Sequence, residues 1–121
     1  MPETLDRAVL ADLLEMVGDD PEFLAELVDT FVADAAGHVD AMEAAVEAGF
    51  PADLLRPAHT LKSNSLNLGA AALAAISRAL EEQARAGSLD GAAGRVAAAR
   101  EELARVVAAL ERARADAWAT P

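Results

Sequence analysis

Apolar residues recur along this chain at steps of three and four, the spacing that lines one face of an α-helix. Over residues 4–17, Leu5, Val9, Leu13 and Val17 stand four apart, with Thr4 as candidate N-cap and Gly18 as terminator. This first helix is short and is expected to pack across the others. Asp20-Pro21-Glu22 opens the next: a capping acid, a proline where no N–H is needed, and an acid near the positive end of the helix dipole. Leu24, Leu27, Phe31, Ala35, Val39, Met42 and Val46 carry its stripe to about Ala48, Gly49 ends it, and Phe50-Pro51 makes the turn.

A third helix is predicted from about Ala52 to Leu68, with Leu54, Leu61 and Leu68 spaced by seven on its buried side. Pro57 interrupts it. A proline inside a helix loses one hydrogen bond and costs ~3 kcal/mol unless it lies in the first turn, so we place Pro57 at the helix's early edge. Gly69 permits a tight reversal. Leu73, Ile76, Leu80 and Ala84 line the fourth helix, which stops at Gly87. Ser88 to Gly94 is a weak start, and Val96, Ala99, Leu103, Val106, Leu110 and Ala113 form the last stripe. Ala115 to Pro121 reads as a frayed tail with Trp118 exposed. Four long stripes joined by short loops predict an all-α fold: an antiparallel four-helix bundle with a short additional N-terminal helix as a lid at one end.

Composition strengthens that reading. The chain has 121 residues, one domain's worth; it is 54% hydrophobic and only 3% aromatic, and alanine lets helices form readily and approach closely. There is no cysteine, which removes disulfide and thiolate chemistry and fits a reducing compartment. No apolar run approaches the ~20 residues of a membrane span, and Met1-Pro2-Glu3-Thr4 lacks the layout of a signal peptide. A cytoplasmic protein is expected, and the opening Met favours one that stands alone over a piece cut from a larger kinase.

Charge is uneven. The net charge is −11, and residues 1–55 hold 14 of the 21 acidic side chains against one basic residue, Arg7. Such a surface repels nucleic acid and anionic membranes, so neither is expected as a partner. Most of it reads as a solvated face; the remaining possibility is steering of a partner that is basic where it docks.

The candidate chemistry lies in the third helix. His59, Lys62, Ser63 and Leu66 fall at i, i+3, i+4 and i+7, on one face and away from the leucine stripe. An exposed imidazole ordinarily titrates near ~6.5, so much of it is neutral at pH 7 and offers a ring nitrogen as nucleophile without a general base. Lys62, the only lysine in the chain, sits one turn on, where an ammonium can meet the charge of a transferring phosphoryl group. Ser63 is small and leaves room over the ring. Leu55 and Leu66 flank His59 and read either as a greasy contact for a docking partner or as residues partly covered by neighbouring helices. Arg56 belongs to the same candidate docking face. His38 has no cation at helical spacing and reads as an ordinary surface histidine.

His59-Thr60-Leu61-Lys62-Ser63, followed by Asn67-Leu68-Gly69-Ala70, resembles the histidine-containing phosphotransfer (HPt) domain family, whose motif runs His-x-Leu-Lys-Gly/Ser with a glycine ending the helix. The likeness extends weakly to Leu80-Glu81 and to Asp20-Pro21-Glu22-Phe23-Leu24 through Phe31. Its specificity is concentrated in His59 to Gly69. The resemblance implies that His59 is a phosphoacceptor, exchanging a phosphoryl group with the aspartate of response-regulator receiver domains. It implies that Lys62 is the stabilising cation, that Ser63 permits close approach in place of the commoner glycine, and that Gly69 is the helix-turn glycine. A hybrid histidine kinase is a further implied partner, and Mg²⁺ is expected on the receiver, not on this chain.

The sequence has no phosphate-cradling glycine loop and no room for a nucleotide-binding domain. It therefore reads as a carrier and co-substrate without kinase activity of its own. The rival reading is a helical interaction module that docks on a receiver or kinase and is never phosphorylated. A metal-binding bundle is a weaker third, since the stripes lack Glu-x-x-His pairs.

Overall fold

A computed structural model of the chain describes residues 5–16 and 20–119, with backbone alone for Arg7, Leu10, Leu14, Pro21 and 116–119. Five helices follow one another: α1 (Arg7–Met16), α2 (Pro21–Ala48), α3 (Ala52–Asn67), α4 (Ala71–Arg85) and α5 (Ala92–Ala119). No strand occurs among the described residues. The second helix packs on α3 and α5, and α4 packs on the same two, which closes a four-membered ring. Ion pairs give the sense of the long pair. Asp40 and Glu43 of α2 meet Arg100 of α5, and Asp29, further back on α2, meets Arg114, further on along α5. The two helices therefore run antiparallel.

Local chemistry sets the ends. Asp20 caps α2, its carboxylate accepting from the amides of Glu22 and Phe23 at 3.1 and 3.2 Å, and Gly49 closes it in the left-handed conformation, φ 78°. The cap of α1 is Asp6, whose Oδ1 accepts from the Ala8 and Val9 amides at 2.9 and 3.3 Å. Thr4, proposed for that role from the sequence, and Val17 and Gly18 at the other end, lie outside the described residues. Past α4, Gln83 donates to the Asp90 carbonyl and Arg95 donates to the Gln83 side chain at 2.8 Å, pinning the loop into α5.

Pro57 does not sit at the early edge of α3. It is the sixth residue of the helix, buried in its second turn. The carbonyl it deprives of an amide is that of Asp53, in an exposed first turn where water can replace the lost bond. The expected fraying from Ala115 is also absent: α5 stays helical to Ala119. The Trp118 side chain lies outside the described residues.

The stripes meet as the periodicity requires. Val39, Met42, Leu54, Leu61, Leu73, Leu80 and Val106 are fully buried, interleaved with Ala35, Ala58, Ala70 and Ala99. Each large aliphatic buried this way is worth about 1.5–3 kcal/mol, and the alanines let the helix axes close on one another. Where the α2 stripe predicts Leu27 in the core, Val28 is buried instead, and Leu27 is half-buried at the margin. Among the described residues no helix is long and apolar enough to cross a membrane.

The turn between α3 and α4 also holds α1. Gly69 has φ 75°, and its carbonyl accepts from the Asp6 amide at 2.6 Å. A Cβ at this position would stand 3.0 Å from the Asp6 carbonyl oxygen and 3.1 Å from Val9 Cβ. Glycine is thus required twice, by the backbone conformation and by the approach of the N-terminal segment.

Candidate functional site

Burying Leu54, Leu61 and Leu68 turns the opposite side of α3 outward. His59 lies there, its side chain 55% exposed. The residue that organises it comes from α4. Leu73, Ser77, Leu80, Glu81 and Ala84 form that helix's buried face, and Glu81 is the one acid on it, with a side chain 2% exposed.

A buried carboxylate is costly unless it is paired, and Glu81 is paired three times. Its Oε1 lies 3.1 Å from His59 Nδ1 and 2.9 Å from an Arg85 guanidinium nitrogen, while Oε2 meets Lys62 Nζ at 2.8 Å. The Lys62 ammonium is the main reason the Glu81 carboxyl is held below the usual carboxylate range. Burial pushes the other way, and the His59 ring N–H and the Arg85 charge help to overcome it. Glu81 is therefore ionised at neutral pH, and an ionised carboxylate only accepts hydrogen bonds. His59 must donate its Nδ1–H to it, which leaves the lone pair on Nε2, the nitrogen away from Glu81. The site is an oriented imidazole of fixed tautomer, on a helix anchored by three buried leucines.

The residues singled out in the sequence are distributed as follows. Lys62 is next to His59 as expected but is only 24% exposed; its ammonium is turned to Glu81. Ser63 is half-buried on the same face. Leu66 is 55% exposed and borders an open groove of about 610 Å³ between α3 and α4, lined also by Lys62, Ala71, Ala75, Arg78 and Arg85. Leu55 is half-buried against the core, so of the two flanking leucines Leu66 offers the larger apolar surface. Arg56 is exposed, and His38 lies on α2, half-buried. Gly69 is 10 residues beyond His59 in the chain and acts on α1.

Sequence reasoning missed Glu81 as part of the site, and missed Arg85 altogether. The signal for Glu81 was present: an acid four residues past Ser77 and one past Leu80, on a stripe that is otherwise apolar or small. A carboxylate at a core position needs cations brought to it, and Arg85 lies at i+4 on the same helix. Among the described residues no group of three or more His, Cys, Asp or Glu is arranged to hold a metal ion.

A model of the Hpt domain family matches residues 26–115. Among solved structures, the chain is similar to the crystal structure of histidine-containing phosphotransfer protein B (HptB) from Pseudomonas aeruginosa PAO1. The identity is 35%, the TM-score 0.87, and the match covers 96% of this chain and 98% of that one. Comparison with curated proteins finds no match. Taken with the helical ring and the histidine held on α3, these likenesses show that the chain belongs to the Hpt domain family.

Proposed function

We propose that this chain is a histidine phosphotransfer protein of a phosphorelay, carrying a phosphoryl group on His59 between the aspartates of response-regulator receiver domains. A cytoplasmic setting and a hybrid histidine kinase as the original donor complete the reading. The observation that carries it is the half-exposed His59 ring, whose Nδ1 is engaged by the ionised Glu81 so that the lone pair is left on Nε2.

In the forward step the Nε2 lone pair attacks the phosphorus of an aspartyl phosphate. The N–P bond forms as the bond from phosphorus to the aspartyl oxygen breaks, and that bond's electron pair returns to the receiver's carboxylate. No proton leaves the ring. Positive charge builds on the imidazole as the bond forms, and the Glu81 carboxylate beside Nδ1–H stabilises it. Lys62, three residues on from His59 along the same helix, is placed to meet the charge of the phosphoryl oxygens. Mg²⁺, where it is needed, is assigned to the receiver. The small side chain of Ser63 leaves the ring approachable, while Leu66 and Arg56 supply the docking surface. Reversal of the same steps hands the group on.

The test is incubation with a phosphorylated receiver domain. Acid-labile, base-stable phosphate is expected on the wild-type chain and is expected to be missing from His59→Gln. Stable binding with no phosphate on either protein would overturn transfer and leave an interaction module.

A further inference from the structure

Arg85 has no part in the transfer just described, yet it occupies the same carboxylate oxygen as the phosphoacceptor. Its guanidinium nitrogen lies 2.9 Å from Glu81 Oε1, the oxygen that His59 Nδ1 approaches to 3.1 Å. Two donors on one oxygen compete for its electron density, and a cation this close to the imidazole disfavours a second positive charge there. We propose that Arg85 is a positioning residue that keeps His59 neutral, and so nucleophilic, by limiting how strongly Glu81 can hold the imidazolium. The inference rests on the reading of His59 as phosphoacceptor.

Without a third partner, Glu81 would be a buried carboxylate beside a titratable ring, an arrangement that favours charging the ring. A protonated imidazole has no lone pair to give. The requirement is therefore a carboxylate strong enough to fix the tautomer and too well neutralised to take the proton. Lys62 on Oε2 and Arg85 on Oε1 divide that work. Their positions differ: Lys62 is 24% exposed and stands on the helix that carries His59, whereas Arg85 is 61% exposed and reaches Glu81 from the C-terminal end of α4.

The other charges nearby do not replace Arg85. On α4, Arg78 is engaged by Glu82 at 3.2 Å. Arg56 is on α3 itself, a turn before the histidine. From α2, the other helix packed on α3, Asp40 and Glu43 are turned to Arg100 of α5.

The experiment follows the His59 ring by NMR through a pH titration of the intact, unphosphorylated protein, alongside the pH profile of transfer from a phosphorylated receiver. Arg85→Gln is expected to move the ring's titration midpoint to higher pH and, relative to the wild type, to lower the ratio of the transfer rate near pH 6 to that near pH 8 about twofold. Arg85→Lys, which returns a cation to the same oxygen, is expected to restore both. An unmoved midpoint in Arg85→Gln overturns the role of Arg85, whether or not His59 accepts phosphate. A transfer rate lowered equally at every pH also overturns it, because that is the mark of a merely structural contact. A wild-type chain that titrates as expected but takes no phosphate overturns the relay reading instead, so the two failures are distinguishable.

Discussion

Lys62 does more than a lysine on an open face would. Its ammonium is the chief group holding the Glu81 carboxyl below its ordinary range. A carboxyl whose folded value is depressed contributes stability that is present above the unfolded value, near 4.5, and is lost as pH falls through the folded one. Lys62→Ala lets the Glu81 carboxyl move back up toward that value, so the variant is expected to be less stable than the wild type at pH 7 and to lose less stability as pH falls toward 3, the two curves converging at acid pH. Urea midpoints measured between pH 7 and pH 3 check this. Transfer is expected to slow on the order of tenfold for loss of one charge-stabilising group. An equal loss of stability between pH 7 and pH 3 in the two proteins would show that Lys62 does not hold Glu81.

At the scale of elements, the turn at Gly69 couples α3, α4 and α1. Gly69→Ala must adopt a left-handed backbone and place a methyl 3.0 Å from the Asp6 carbonyl oxygen. The expected cost is about 1–3 kcal/mol, visible as a lower melting temperature. Chemical shifts that change first in α1 would locate the damage, and an unchanged melting temperature would remove Gly69 from the packing of α1. The helices themselves were legible because their stripes are long and strongly periodic; α2 ends where Asp20 and Gly49 say it must. Pro57 was misplaced because a proline's tolerance depends on whether the carbonyl it strips can reach water, which is a property of the packed helix. The His59–Lys62 face was readable from one helix. The Glu81–Arg85 half was not, because it depends on the register between α3 and α4 and on an acid that a stripe-by-stripe reading treats as surface.

For the whole molecule, the proposed relay requires a docking surface, and the surface proposed for it is the groove edge at Leu66, seven residues past His59 on α3. Leu66 is exposed and outside the buried core, so Leu66→Asp is expected to weaken receiver binding roughly tenfold. The melting temperature is expected to stay within a few degrees. Isothermal titration and a thermal melt decide the matter; a large drop in melting temperature would return Leu66 to the core. Such docking would take place on a protein whose net charge is −11, and there the Glu81 cluster stands out. Lys62 and Arg85 bring two cations to one anion, a small positive island in an acidic sea. A phosphoryl group on His59, with a charge of about −1.5 to −2, would reverse the island's sign. Empty and loaded carriers would then present opposite fields at one spot, so the cargo itself would tell an incoming domain whether to give or to take.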